Sequence, residues 1–416
     1  VSDGSARPHC RSCGTALDVS LVDLGMQPIS NAMRKPGQLD GPETFYPLKT
    51  FVCSACKLVQ LQDFHRADEL FDDDYTYFSS YSDSWLAHAR AYVEMMVPRF
   101  GLGPASQVIE LASNDGYLLQ YFKAKGIPVL GVDPAANVAA VAEKERGIPT
   151  VVDFFGVRVA ERLATEGRKA DLVLGNNVIA HVPDLNDFIG GVAVVLKPEG
   201  VATFEFPHLL RMIEANYFDT IYHEHYSYIS LLAIERAFAR HGLAVFDVEE
   251  LATHGGSLRV FLTHAVRGLA PTERLVAFRA REAAAGLDGL DAYADFAARV
   301  RAAKRNLLSL LIGLKNDGRS IVGYGAPAKG NTLLNYCGIR TDFLDYTVDR
   351  SPAKQGRFLP GTTIPVHAPE RIFETKPDYV LILPWNLTDE IVGQMAAIRD
   401  WGGRFIVPLP EARVLP

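Results

Sequence analysis

Two Cys-x-x-Cys pairs, Cys10/Cys13 and Cys53/Cys56, stand near the start of the chain with residues 14–52 between them. Four thiolates delivered by two such knuckles match the tetrahedral preference of Zn²⁺ in closed structural sites. With every position filled by sulfur none remains for water, so the metal is expected to hold structure and to do no chemistry. The surrounding sequence carries turn signals (Gly25, Pro28, Pro36-Gly37, Gly41-Pro42) and no long periodic helix, so residues 1–70 are expected to form a small zinc-stapled module. The chain has 416 residues and only 5 cysteines; the fifth, Cys337, is expected in a core. Sparse, paired cysteines of this kind suit a reducing compartment, and cytoplasm is the expectation. The opening Val1-Ser2-Asp3-Gly4-Ser5 lacks the pattern of a signal peptide. No apolar run reaches the roughly eighteen residues of a spanning helix. The net charge of -7 argues against a nucleic-acid surface.

From Gln107 onward, short β-rich runs alternate with helical stretches: Val108–Leu111, Val129–Val132, Leu172–Gly175 and Val201–Phe204. That alternation predicts βαβ units and a mostly parallel sheet. The runs Ala244–Val248 and Leu258–Leu262 leave no room for a helix between them and should pair antiparallel at one end of that sheet. Helical spacing from Trp85 to Val97 predicts a lead-in helix. Residues 272–316 read as helical, with Phe296, Val300, Leu307, Leu311 and Leu314 on a packing face and Arg299, Arg301, Lys304 and Arg305 as solvated charges opposite. A second β/α alternation runs from Ile321 to Val407. The expected order is an α/β protein with a zinc module (1–70), a Rossmann-like domain with its lead-in (71–270), a helical connector (271–318) and a second Rossmann-like domain (319–416).

The segment Glu110-Leu111-Ala112-Ser113-Asn114-Asp115-Gly116 passes from a strand through a small-residue turn into a helix expected near Tyr117, and Asp133-Pro134 ends the next strand. A carboxylate there suits the two hydroxyls of a ribose. A dinucleotide would call for GxGxxG and would be repelled by Asp115, whereas S-adenosylmethionine carries a sulfonium and an amino acid and no phosphate. The chain thus resembles a class I methyltransferase. The resemblance places Asp153 and Phe154 beside adenine, and Asn176-Asn177 along the methyl-transfer cleft.

Beyond the strand ending near Glu205 lies Tyr222-His223-Glu224-His225-Tyr226, a density of titratable groups unsuited to a core. His181 follows the neighbouring strand and reaches the same rim. A neutral imidazole is a competent base, Tyr222 could donate to a developing oxyanion, and Glu224 could orient a histidine. If the segment is extended, His223 and His225 fall on one side, and spacing does not separate them.

The CxxC pairs, the connector Tyr75-Thr76-Tyr77-Phe78-Ser79-Ser80-Tyr81-Ser82, ELASNDG, IYHEHYSY, His254-Gly255-Gly256-Ser257-Leu258-Arg259 and GYGAPAKGN (323–331) together resemble the S-adenosylmethionine-dependent sugar C-methyltransferases of deoxysugar biosynthesis, over essentially the whole chain. The nearest resemblance is to the C-3′-methylation of a dTDP-linked 3-amino-4-keto sugar. It implies His225 as the base that generates an enolate, with His181, Tyr222, Glu224 and His223 around it. It further implies a nucleotide-diphosphate sugar held by Tyr75, Tyr77, Tyr222, His225, Tyr324, Ala326, Lys329 and Asn331. Other classes account for less: a zinc-ribbon RNA methyltransferase leaves the last domain idle, an NAD(P)-dependent oxidoreductase lacks GxGxxG there, and a non-catalytic zinc-stapled interaction protein leaves the His223-Glu224-His225 cluster unexplained.

Overall fold

A computed structural model describes residues 7–64 and 78–415. Strands β1 (Val19–Gln27), β2 (Tyr46–Val52) and β3 (Val59–Leu61) form an antiparallel sheet, and the turn between β2 and β3 is the second cysteine knuckle. Helix Asp83–Phe100 leads into β4 (Val108–Leu111), β5 (Val129–Asp133), β6 (Thr150–Val152), β7 (Ala170–Asn176) and β8 (Leu196–Pro207). The chain then returns to the first sheet to add β9 (Ser227–Tyr228) beside β3, before completing the second with β10 (Leu243–Leu251) and β11 (Ser257–His264). The strand order is β10-β11-β8-β7-β4-β5-β6, parallel from β8 to β6, with β11 antiparallel to both of its neighbours. A third sheet, β12 (Ile321–Tyr324), β13 (Thr347–Val348), β14 (Val366–His367), β15 (Tyr379–Ile382), β16 (Arg404–Val407) and β17 (Arg413–Val414), runs β14-β13-β12-β15-β16-β17 and is parallel except for β17. The sequence reading named no strand in the first module, where β1, β2 and β3 lie, and also omitted β6, β9, β14 and β17, the last four being too short for a periodic signal.

Alternation across the central sheet sends successive side chains into two cores. Val108, Leu172 and Leu174 pack with Ala89, Tyr92, Val93 and Met96 of the lead-in helix. Ile109, Leu111 and Val173 pack with Val159, Ile189, Val192 and Phe238 on the other face. The lead-in helix is longer than the reading: Ser82 accepts from the Trp85 amide at its start, and Gly101 at φ 60 ends it.

The stretch expected as one helical run breaks into Glu273–Ala284, Asp291–Ala294 and Phe296–Asn316, interrupted where Gly286 turns at φ +74. Phe296, Val300, Leu307 and Leu311 are buried in a core shared by the first and third sheets. Two of the charges opposite are not simply solvated. Arg299 donates to the Ile213 carbonyl at 2.7 Å and Lys304 to the Tyr336 carbonyl at 2.5 Å, stitching this helix to the central and C-terminal segments. A long side chain can reach across a packed face and satisfy a carbonyl there, which a helical wheel does not reveal.

Candidate active site

The sulfurs of Cys10, Cys13, Cys53 and Cys56 lie within 4.8 Å of one another, with Cys10–Cys56 at 3.5 Å and Cys13–Cys53 at 3.4 Å. Zn–S bonds of about 2.3 Å put tetrahedral sulfurs roughly 3.8 Å apart. The donor set therefore fits one tetrahedral ion. Cys337 is buried in the core.

The turn after β4 bends through two left-handed non-glycine residues, Ala112 (φ 57) and Asn114 (φ 49), then Gly116 (φ 77). A Cβ on Gly116 would meet Ile148 at 2.7 Å, so the close approach needs glycine. The regular helix begins only at Leu119 and ends at Ala124, later than the start expected near Tyr117, because these left-handed residues postpone it. Asp133, at the end of β5, accepts from the Asn114 amide at 2.8 Å and, on its other oxygen, from the Ala135 amide at 2.9 Å. Each oxygen keeps a further lone pair for a ligand. Glu110, Ser113 and Asp115 are buried beside it. Burial raises the Asp133 carboxyl to about 6 and Glu110 well above the usual carboxylate range.

Two serines at the described end of the hydroxyl-rich connector bond to this turn: Ser79 donates its amide to Asn114 Oδ1 at 2.9 Å, and Ser80 donates its hydroxyl to Asp115. Pairing of Asp133 with Val152 brings segment 152–154 to the same rim, where Asp153 pairs with Arg158 at 2.7 Å and Phe154 is 43% exposed. Pro134 follows Asp133 there. Across the crevice, the buried side-chain amide of Asn176 has no partner among the described residues, and Asn177, at φ 55, contacts His254 Nε2 through Nδ2 at 2.9 Å.

The histidine segment is a turn and not an extended strand. The His225 amide donates to the Tyr222 carbonyl at 2.9 Å, so residues 222 and 225 come together while 223 and 224 point elsewhere. This corrects the expectation that His223 and His225 share a side. His223 is buried against the first sheet, with Nε2 3.3 Å from the Pro47 carbonyl and its ring 5.9 Å from that of Tyr46. The Glu224 carboxylate also turns that way and accepts from Asn31 Nδ2 at 2.8 Å on both oxygens, so its carboxylate is engaged by an amide and not by a histidine. Burial raises it to about 7.

His225 packs among Tyr222, His181 and Tyr228. Its Nδ1 lies 2.9 Å from the Thr220 carbonyl and its Nε2 2.7 Å from the Tyr222 hydroxyl. A carbonyl only accepts, so Nδ1 carries the proton and Nε2 presents its lone pair. His181 packs edge-on at 4.7 Å. Burial lowers His181 to about 4, and burial, with His181 and Lys329 nearby, lowers His225 well below 6.5, so both are neutral near pH 7.

The helix that follows β12, Ala328–Cys337, contributes Lys329 to this cluster. Its ammonium donates to Asn386 Oδ1 at 2.8 Å and lies 4.6 Å over Trp385, whose indole donates to the buried Asp219 at 2.7 Å. The turn after β12 repeats the pattern of the turn after β4. Asp349 accepts from the amides of Ala326 and Ser351, both at 2.8 Å, and Lys354 donates to the Ala326 carbonyl at 2.9 Å. The side-chain amide of Asn331, 2% exposed, has no partner among the described residues. Tyr324 is a correction: it packs on the opposite face of β12 with Ile391 and Met395 and reaches Gln394 at 3.3 Å, because the strand's alternation turns Gly323 and not Tyr324 toward the first sheet's side. Tyr75 and Tyr77 lie outside the described residues. The sequence reading missed Asn31, Asp349 and Lys354, which carry no local motif. It quoted His254 only within a longer run; that residue is held at φ 54, with burial lowering it to about 4.

Three family models match the chain: "Putative zinc binding domain" over residues 10–71, "Methyltransferase domain" over 85–248 and "C-methyltransferase C-terminal domain" over 252–410. C-methyltransferase NovU of Streptomyces niveus is 37% identical over 407 residues, covering 98% of this chain and 96% of that protein. A ubiquinone biosynthesis O-methyltransferase of Bartonella tribocorum is 33% identical over 95 residues, 23% of this chain and 38% of that protein. A solved SAM-dependent methyltransferase from Anabaena variabilis, 16% identical, covers 49% of this chain and 99% of its own with a TM-score of 0.37. No helix among the described residues is long and apolar enough to cross a membrane. With its cysteine module, its methyltransferase sheet and its C-terminal sheet each matched, and a relative aligned almost end to end, this chain belongs to the S-adenosylmethionine-dependent C-methyltransferases.

Proposed function

We propose that the protein methylates carbon C-3 of a 4-keto sugar carried on a nucleotide diphosphate, with a dTDP-linked 3-amino-4-keto deoxysugar as the preferred form. The observation that supports this best is the His225 tautomer: the Thr220 carbonyl fixes the proton on Nδ1, which leaves the Nε2 lone pair to the Tyr222 hydroxyl at 2.7 Å. Methylating carbon needs a carbanion equivalent, and a ketone beside the C–H bond provides one. Nε2 of His225 takes the C-3 proton, and the electron pair of that bond moves into an enolate whose oxygen is the former ketone. Tyr222, released from His225 by the substrate, donates to that oxygen, and His181 packs the base in place. S-adenosylmethionine, when bound, would supply an electrophilic methyl group on its sulfonium for C-3, with the S–CH₃ bonding electrons returning to sulfur. Asp133 holds the ribose hydroxyls, Glu110 and residues 112–116 line the crevice, Phe154 covers adenine, and Asn176 and Asn177 border the cleft. Lys329, Ala326 and Asn331 hold the nucleotide diphosphate. Zinc in the four thiolates stabilises the N-terminal module.

The experiment is incubation with S-adenosylmethionine and 4-keto nucleotide sugars, then mass spectrometry and NMR to locate the new methyl. A C–CH₃ at C-3, with deuterium exchange at C-3 in D₂O when S-adenosylhomocysteine replaces the donor, supports the reading. A methyl on oxygen or nitrogen overturns it. Metal analysis should return one zinc per chain.

A further inference from the structure

Arg11 lies inside the first cysteine knuckle, yet its side chain is only 7% exposed and reaches out of the metal module. Its guanidinium donates to the Pro183 carbonyl at 2.7 Å, to the Leu61 carbonyl at 2.8 Å and to Asp63 at 2.7 Å, and lies 5.2 Å over the Tyr226 ring. Pro183 stands two residues after His181, and Tyr226 directly follows His225. One planar fork therefore touches both segments that deliver the histidine pair. Its backbone is fixed as firmly: the Arg11 amide donates to Gln60 Oε1 at 2.9 Å, Gln60 Nε2 contacts Cys10 Sγ at 3.2 Å, and Asn186 Nδ2 donates to the Arg11 carbonyl at 2.9 Å. The Leu61 amide donates to the Tyr226 carbonyl at 3.0 Å, extending the β3–β9 pairing up to the residue beside His225.

We propose that Arg11 is a positioning residue for the His181–His225 pair, so that the cysteine module, although outside the chemistry, sets the distance between the two imidazoles. The inference rests on the proposed role of His225 only for its effect on turnover; the geometric part stands without it. Arg suits the task where Lys would not, since a guanidinium serves several acceptors in one plane and stacks on a ring, while an ammonium is a point donor. The groups facing His225 are His181, Tyr222, Tyr228, Lys329 and His254. All of them are retained when Arg11 is changed.

The test uses the full chain with its metal and compares wild type, Arg11→Lys and Arg11→Met. Zinc content and circular dichroism establish that each variant is folded, and Arg11→Lys keeps the charge, so a purely Coulombic effect is separated from loss of the fork. Histidine ring resonances followed by NMR against pH report the pair directly. In Arg11→Lys the His181 titration should rise from about 4, and that of His225 from its depressed position, toward the ordinary value near 6.5 as the packed pair loosens and takes in water. Turnover should fall about 10- to 100-fold with the KM for S-adenosylmethionine unchanged. Unshifted histidine titrations in a folded Arg11→Lys protein overturn the positioning role. Shifted titrations with undiminished turnover leave the positioning role standing and remove His225 as the base.

Discussion

The turns after β4 and β12 are built alike and charged oppositely. In each, an aspartate ending the next strand accepts an amide from the turn and another from two residues downstream: Asp133 from Asn114 and Ala135, Asp349 from Ala326 and Ser351. Around the first stand Glu110 and Asp115; beside the second stands Lys354, 3.7 Å from Asp349, while Lys329 from the following helix reaches Asn386. The backbone pattern is shared, and the side chains around it differ in charge. The acidic crevice suits a sulfonium and an ammonium, and the basic one suits a diphosphate. In the proposed reaction the two ligands would meet at His225, which has His181 on one side and Lys329 nearby.

The strongest way to break this picture is His225→Asn, which removes the group serving both sides. Turnover should fall by about 10² to 10⁴, with both binding affinities nearly intact. If turnover persists in steady-state assays, the base lies elsewhere. Lys329→Ala should weaken nucleotide-sugar binding by roughly 1.5–3 kcal/mol, the range for hydrogen bonds to charged groups, and leave S-adenosylmethionine binding unchanged. Asp133→Ala should do the reverse, costing about 1–3 kcal/mol in cofactor affinity alone. Isothermal titration of both ligands against both variants checks the crossover, and equal losses in either variant would dissolve the division of labour. The smallest effect is on pH. Asp133 titrates at about 6, so cofactor affinity should decline as pH falls through 6, where protonation removes one of its acceptor oxygens. Affinity flat between pH 7 and 5 would place the ribose contact on another group.

Much of the fold was legible because its signals are local and periodic. Buried parallel strands such as Val108–Leu111 read as short apolar runs, and the helix at 296–316 showed its packing face. The four cysteines were legible because the chemistry of zinc admits few donor sets. The candidate site was legible as a composition and not as a geometry. IYHEHYSY announced a cluster of titratable groups, but the hydrogen bond from the His225 amide to Tyr222 is a turn that no alternation rule supplies. That one turn separates His223 from His225 and sends Glu224 to Asn31.

The sequence by itself determined which elements form and which chemistry-bearing residues exist, since strand and helix periodicity, knuckle spacing and the charge of each turn are properties of neighbouring residues. Tertiary structure alone decided the partners. Arg11 reaches Pro183 across the fold, Lys329 comes from the helix after β12 to the cluster around His225, and β9 leaves the methyltransferase segment to pair with β3. Such contacts join residues far apart along the chain, and their geometry follows from how three sheets bury their faces together, which no local window of sequence contains.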